Sequence, residues 1–281
     1  MGRLSCPDAS RRRFLVAAGT LYVGLQTPIA MAARSSLHIA VMRGNLKRID
    51  RLIDKGYDVN GRDGAGEYPL HFGIYNGNVE AVRKLLAAGA LVDVPDRRSG
   101  VSALTIAAYQ GDAPMVSLLL EHGANIDFVQ ATGTDPSEQK GVLAIPAPLR
   151  RQIPSPPLLA AIEAGHEDMV EFLLERGANA DATDRQGQNA LILACRNGRV
   201  ALAQMLIERG ASVNFVSPQG MTPLNMALLA RQKPMVRLLV DHGADLELSG
   251  PNGITPARNA RAWDDPEILS IFQSRGIAFE D

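Results

Sequence analysis

The sequence predicts an all-α repeat solenoid, in which short helix-turn-helix units are joined by β-turns, and three observations carry that reading. A phrase that begins Gly-Ala and closes on Asn, Asp or Glu returns along the chain: Gly89-Ala90-Leu91-Val92-Asp93, Gly123-Ala124-Asn125-Ile126-Asp127, Gly177-Ala178-Asn179-Ala180-Asp181, Gly210-Ala211-Ser212-Val213-Asn214 and Gly243-Ala244-Asp245-Leu246-Glu247, with Gly56-Tyr57-Asp58-Val59-Asn60 as a variant. The residue that opens the first helix of each unit recurs as Leu37, Leu70, Leu104, Leu158, Leu191, Leu224 and Ala257, in steps of 33, 34, 54, 33, 33 and 33. Self-similarity at such a fixed period is the mark of a repeat array. Finally, the 281 residues are 46% hydrophobic and 21% charged, as in a soluble globular chain, but the 26 glycines and 17 prolines are too many for one compact helical core. They suit many short elements joined by turns.

Residues 1–32 stand apart from the period and read as an export address. A basic stretch, Ser10-Arg11-Arg12-Arg13-Phe14-Leu15, leads into an apolar run from Phe14 to Leu25. That run is well short of the ~20 residues that span a bilayer, so no stable membrane anchor is expected. Ala30-Met31-Ala32 offers the small-x-small pattern of a signal peptidase site, which places cleavage after Ala32. Arg11, Arg12, Phe14 and Leu15 resemble the twin-arginine signal of bacterial export, and the resemblance implies a folded protein delivered to the periplasm. A general secretory signal rich in arginine is the alternative. Loss of Arg3, Arg11, Arg12, Arg13 and Asp8 with the address moves the net charge from −1 to −4. Neither value offers bulk attraction to nucleic acid or an anionic membrane. Two cysteines, Cys6 and Cys195, cannot build a disulfide framework.

Residues 33–281 then divide into about seven units, with caps at 34–60 and 248–276. The first helix of each begins near the recurring leucine and stops at Gly44, Gly77, Gly111, Gly165 or Gly198, residues that accept the left-handed backbone closing a helix. Arg231 takes that place in the sixth unit. A second helix follows with apolar residues at helical spacing, such as Val79, Val82, Leu85 and Leu86, or Val170, Leu173 and Leu174. Pro114 and Pro234 sit in its first turn, where a missing N–H costs little. Thr222-Pro223-Leu224, Tyr68-Pro69-Leu70-His71 and Ser36-Leu37-His38-Ile39-Ala40 are similar to the Thr-Pro-Leu-His-x-Ala signature of the ankyrin repeat, a β-turn followed by two antiparallel helices. The resemblance covers essentially all of 33–281. The last unit lacks the Gly-Ala phrase, in keeping with a terminal unit that turns one face to water. The step of 54 leaves 21 extra residues, an inserted loop at about 128–155 that carries Pro136, Pro146, Pro148, Pro154, Pro156 and Pro157. Such a segment does not favour a helix of its own. It either contributes contacts on the turn side or is a tolerated excursion.

Chemistry is thinly represented. His38 and His71 occupy the same place on adjacent units. Helix layers stand about 8–10 Å apart, whereas ligands converge to about 2 Å from one metal ion, so same-place histidines do not share one. They are expected to hydrogen-bond within their turns, as the family's histidine does. Cys195 takes the place of a small buried alanine and reads as inert. Asp93, Asp127, Asp181 and Glu247, one per unit, read as turn formers. No catalytic residue, cofactor or metal ligand is assigned, and an enzyme is not expected.

The resemblance implies that function lies on the concave side of the array. Its variable first-helix positions fall here on Met42 and Arg43, Tyr75 and Asn76, Tyr109 and Gln110, Glu163 and Ala164, Arg196 and Asn197, and Leu229 and Ala230. Turn tips add Arg62, Arg97, Arg98, Arg185 and Gln186. Tyr75 and Tyr109 are expected as neighbours, either as interface anchors or as packing for adjacent turns. The arginines point to a partner with accessible carboxylates or else form a solvated rim. The role implied is a monomeric, non-enzymatic periplasmic scaffold whose partner is another protein, for instance an antioxidant enzyme such as catalase. An immunity-type inhibitor of a periplasmic toxin, or a cofactor-carrying enzyme, are the alternatives.

Overall fold

The repeating phrase becomes, in three dimensions, a succession of short helix pairs, described by a computed structural model over residues 36–96, 100–129, 155–249 and 253–279. The export stretch with Arg11, Arg12, Phe14 and Leu15, its cleavage residues Ala30 and Ala32, the turn residues Arg97 and Arg98, and the insertion over 130–154 lie outside the described residues.

The first helices of the pairs are α1 (Ser36–Met42), α3 (Pro69–Tyr75), α5 (Ala103–Gln110), α7 (Pro157–Ala164), α9 (Ala190–Arg196), α11 (Pro223–Leu229) and α13 (Pro256–Trp263). The second helices are α2 (Leu46–Asp54), α4 (Val79–Ala87), α6 (Ala113–Glu121), α8 (Glu167–Glu175), α10 (Val200–Glu208), α12 (Lys233–Asp241) and α14 (Pro266–Ser274). Among the described residues there is no strand, only an isolated bridge between Thr183 and Asn189. Helices this short are marginal alone and draw their stability from packing. Their boundaries are written in the sequence. Ser102, Asn189, Thr222 and Thr255 accept the amide three residues on and start first helices, while Asn45, Asn78, Asp112 and Asp265 do the same for second helices. At the other end, Arg231 adopts the left-handed φ of +53° that glycine supplies elsewhere.

The chain forms two compact units, Met1–Met169 and Val170–Asp281, with the division falling inside α8. In the first, α1, α3, α5 and α7 pack side by side, backed by α2, α4 and α6. The recurring Leu37, Leu70, Leu104 and Leu158 are at most 1% exposed. Each such burial stabilises by about 1.5–3 kcal/mol. α7 packs directly on α5, and Thr105 Oγ1 donates to the Ser155 carbonyl at 3.4 Å, so the extra residues leave the helix stack of this unit unbroken. In the second unit α9, α11 and α13 form one row and α10, α12 and α14 the other. Leu191 and Leu224 are buried there, whereas Ala257 of the last pair is half-buried.

The residues that close the Gly-Ala phrase do more than shape turns. Asp58, Asn125, Asn179 and Asp245, two positions earlier, are the turn formers, each accepting the amide of the residue two places on. At Asn60, Asp93, Asp181 and Asn214 the closing residue reaches the next repeat instead. Asn60 accepts from Leu91 N and donates to Gly89 O, and Asn214 accepts from Asp245 N and donates to Gly243 O. Asp93 and Asp181, which can only accept, receive the amides of Asn125 and Ser212. The histidines are corrected in the same sense. His38 Nε2 donates to Glu67 O at 2.9 Å and His71 Nε2 to Val94 O at 3.0 Å, in each case to the following turn rather than their own. A residue's partner one repeat away is invisible to reasoning confined to one unit.

Candidate protein-interaction surface

In the first unit the ends of successive first helices are tied together. Asn76, just past α3, donates from Nδ2 to Met42 O at the end of α1 at 3.0 Å. Gln110, at the end of α5, donates from Nε2 to Tyr75 O at the end of α3 at 3.3 Å. Tyr75 donates its hydroxyl to Asp96 Oδ2 at 2.7 Å. Three helix ends are thereby held in register by polar side chains. Asn76 and Glu163 are exposed, while Tyr75, Tyr109 and Gln110 are half-buried. Half-burial of the two tyrosines leaves part of each ring available, and the Tyr75 hydroxyl is tied to the turn that carries Asp96.

Arg62 is exposed and bound to a neighbour the sequence reading passed over. Its Nε and Nη2 both donate to Tyr68 Oη, at 2.9 and 2.6 Å, and the guanidinium carbon stands 4.9 Å from the centre of the same ring. Tyr68 occupies the place of threonine in the Thr-Pro-Leu-His signature. That departure was the available signal: an aromatic where a short capping side chain belongs has no local job, and α3 starts without a side-chain cap.

In the second unit Arg185 and Arg196 are exposed, and Arg196 Nη1 donates to Gln188 Oε1 at 3.0 Å. A shallow cleft here is lined by Gln219, Met221, Asn225, Leu229, Ile254 and Asn259. Leu229 is 58% exposed and Ile254 41%, which gives this unit an apolar patch that no partner within the described residues covers. Asn225 replaces the signature histidine and performs its task, donating to Ile254 O, while it accepts from Asn259 Nδ2.

Of the remaining reactive groups, Cys195 is fully buried, and burial pushes its thiol far above the ordinary range. A protonated, enclosed sulfur is not a nucleophile. Glu67, His71 and Asp96 are also buried, and one ligand atom from each lies within 4.8 Å of the other two. The surface itself offers amides, aromatic rings and guanidinium groups at fixed spacing, which is recognition chemistry.

A family model for ankyrin repeats in three copies matches residues 37–130 and again 158–250, and the chain belongs to the ankyrin-repeat family. The unmatched interval between those spans is the insertion. Among curated relatives, the chain is 31% identical to human B-cell lymphoma 3 protein over 184 residues, 62% of this chain and 37% of the relative. It is 29% identical to a putative palmitoyltransferase ZDHHC13 of Danio rerio over 160 residues, 56% of this chain and 21% of the relative. The chain therefore spans 21% to 37% of the length of these relatives. The crystal structure of the ankyrin repeat domain of Bcl-3, a member of the IkappaB family, superposes with a TM-score of 0.68 at 29% identity, covering 85% of this chain and 98% of that one. No helix among the described residues is long and apolar enough to cross a membrane.

Proposed function

We propose that the chain is a non-enzymatic, exported scaffold that binds another protein through the first-helix ends of its first unit and the turn residues beside them. The observation that carries the reading is the tied row of helix ends, Asn76 to Met42 and Gln110 to Tyr75, with Tyr75 anchored to Asp96. A surface ordered before contact loses little freedom on binding. Tyrosine and arginine are the side chains that most often dominate such contacts; Tyr75 and Tyr109 lie in this row, and the exposed Arg62 with Tyr68 stands at the turn before α3. The apolar cleft at Leu229 and Ile254 adds a second patch on the other unit. The twin-arginine stretch supports delivery of the folded scaffold to the periplasm. An antioxidant enzyme such as catalase fits as client, and so does a secreted toxin held in check.

The test uses the full chain with a C-terminal epitope in a bacterium with an intact twin-arginine system. The protein is expected in the periplasmic fraction with a stable companion, and an Arg11→Lys/Arg12→Lys variant is expected to stay in the cytoplasm. Equal fractionation of the two would refute the export reading. Loss of the companion from an Asn76→Arg/Glu163→Arg variant that still folds is expected, and its full retention would refute the surface. Peroxide-consuming activity in the eluate separates an antioxidant client from a toxin.

A further inference from the structure

The interior of the second and third repeats holds a cluster of titratable side chains that meets the surface through the Tyr75–Asp96 bond. Glu67 and His71 come from the second repeat, at the turn before α3 and within it, and Asp96 from the turn that opens the third. They are 3%, 1% and 1% exposed. His71 donates from Nε2 to the Val94 carbonyl, which leaves the lone pair on Nδ1. Nδ1 is itself buried without a hydrogen bond and faces Glu67 Oε2 at 4.0 Å. Burial holds the imidazole below its ordinary pKa of 6.5, against the opposite pull of Asp96 and of the Val94 carbonyl.

We propose that Glu67, His71 and Asp96 form a divalent-cation site that pins the second repeat to the third. One nitrogen and two carboxylates, brought within 4.8 Å of one another, are a donor set that suits zinc. The surroundings are those of a metal site. A ligating histidine usually donates its other N–H to a carbonyl, as His71 does to Val94, and a ligating carboxylate is held by a further hydrogen bond, as Tyr75 Oη holds Asp96. Ligands about 2.1 Å from one ion stand roughly 3.4 Å apart in a tetrahedral site, so an inward movement of about an ångström closes the present spacing. Because Tyr75 ends α3 in the row of helix ends, an ion on Asp96 would also stiffen that row. Searching for same-place histidines, as the sequence invites, misses this arrangement: its ligands are one histidine and the acids of two successive turns.

The test is zinc titration of the full chain, free of any affinity tag and stripped by chelator, followed by calorimetry and by melting temperature. One equivalent is expected to bind and to raise the melting temperature. Glu67→Gln and Asp96→Asn are each expected to weaken binding at least tenfold, and Asp58→Asn, on an exposed turn, to leave it unchanged. Failure of the wild type to bind one equivalent would overturn the proposal, as would undiminished affinity in folded Glu67→Gln. Should either variant fail to fold, X-ray absorption on the zinc-loaded wild type decides: one imidazole nitrogen with oxygen neighbours is expected, and two or more imidazoles would overturn the assignment. Stabilisation of Glu67→Gln while the wild type binds no zinc would mean that the carboxyls share a proton instead.

Discussion

Replacing Arg231 by glycine is expected to stabilise the chain, although the arginine is exposed. It sits between α11 and α12, where the corresponding turns carry Gly44, Gly77, Gly111, Gly165 and Gly198, and it adopts φ of +53° against their +61° to +82°. Backbone bonds hold it there, from Arg231 N to Leu228 O at 3.0 Å and from Gln232 N to Ala227 O at 2.9 Å. An L-residue in this region costs about 1–2 kcal/mol, and glycine forfeits roughly 0.5–1 kcal/mol through its greater freedom in the unfolded chain. The expected net gain of about 0.5–1 kcal/mol corresponds, at this size, to a rise of roughly 1–4 °C in Tm. Reversible urea unfolding followed by circular dichroism measures it, with hydrogen exchange of the α11 and α12 amides as a local readout, since repeat arrays can open piecemeal. A lowered or unchanged midpoint, with no added protection in α11 and α12, would refute the reasoning.

Gly187 has φ of +70°, and a methyl there would overlap Pro218 Cδ, so Gly187→Ala combines strain with a clash and is expected to cost about 2–4 kcal/mol. Gly210→Ala, with open space around it, carries the strain alone; equal losses in the two unfolding curves would refute the clash. Cys195 is expected to resist alkylation by iodoacetamide in the native protein and to react fully in denaturant, and stoichiometric native labelling would show that its pocket opens. At the last repeat, Arg237 and then Lys233 hold the Glu267 carboxyl below its ordinary value of 4.5. Such a depressed pKa contributes stability above that value and loses it as the pH falls through the folded pKa. The melting temperatures of wild type and Glu267→Gln should therefore differ at neutral pH and converge in acid, and a constant difference would refute the linkage.

The helix pairs were legible because their signals are local and repeated. The recurring leucine, the closing glycine and the Gly-Ala phrase each return with the period, so chance matches cancel. Arg231 fitted the pattern even as an exception, since tertiary packing imposes the left-handed turn on whatever residue stands there. What the sequence hid lies between repeats. The reach of Asn60 to Gly89 and Leu91, of Asn214 to Gly243 and Asp245, and of His38 to Glu67 is fixed by stacking geometry, which no single unit contains. Exposure was hidden for the same reason. Tyr75 and Tyr109 stand at variable positions, yet both are half-buried, while Leu229, at another of those positions, projects to solvent. Glu67 was unreadable as a buried acid because its burial depends on the turn of the next repeat.

The proposed binding surface is tested most directly by photo-crosslinking in intact cells. A photoreactive amino acid placed at Asn76 or Glu163, on the row of first-helix ends, should capture a defined partner protein, whereas the same group at Arg83, exposed on α4, should not. Capture from Arg83 alone, or equally from all three positions, would contradict the assignment of function to the helix ends.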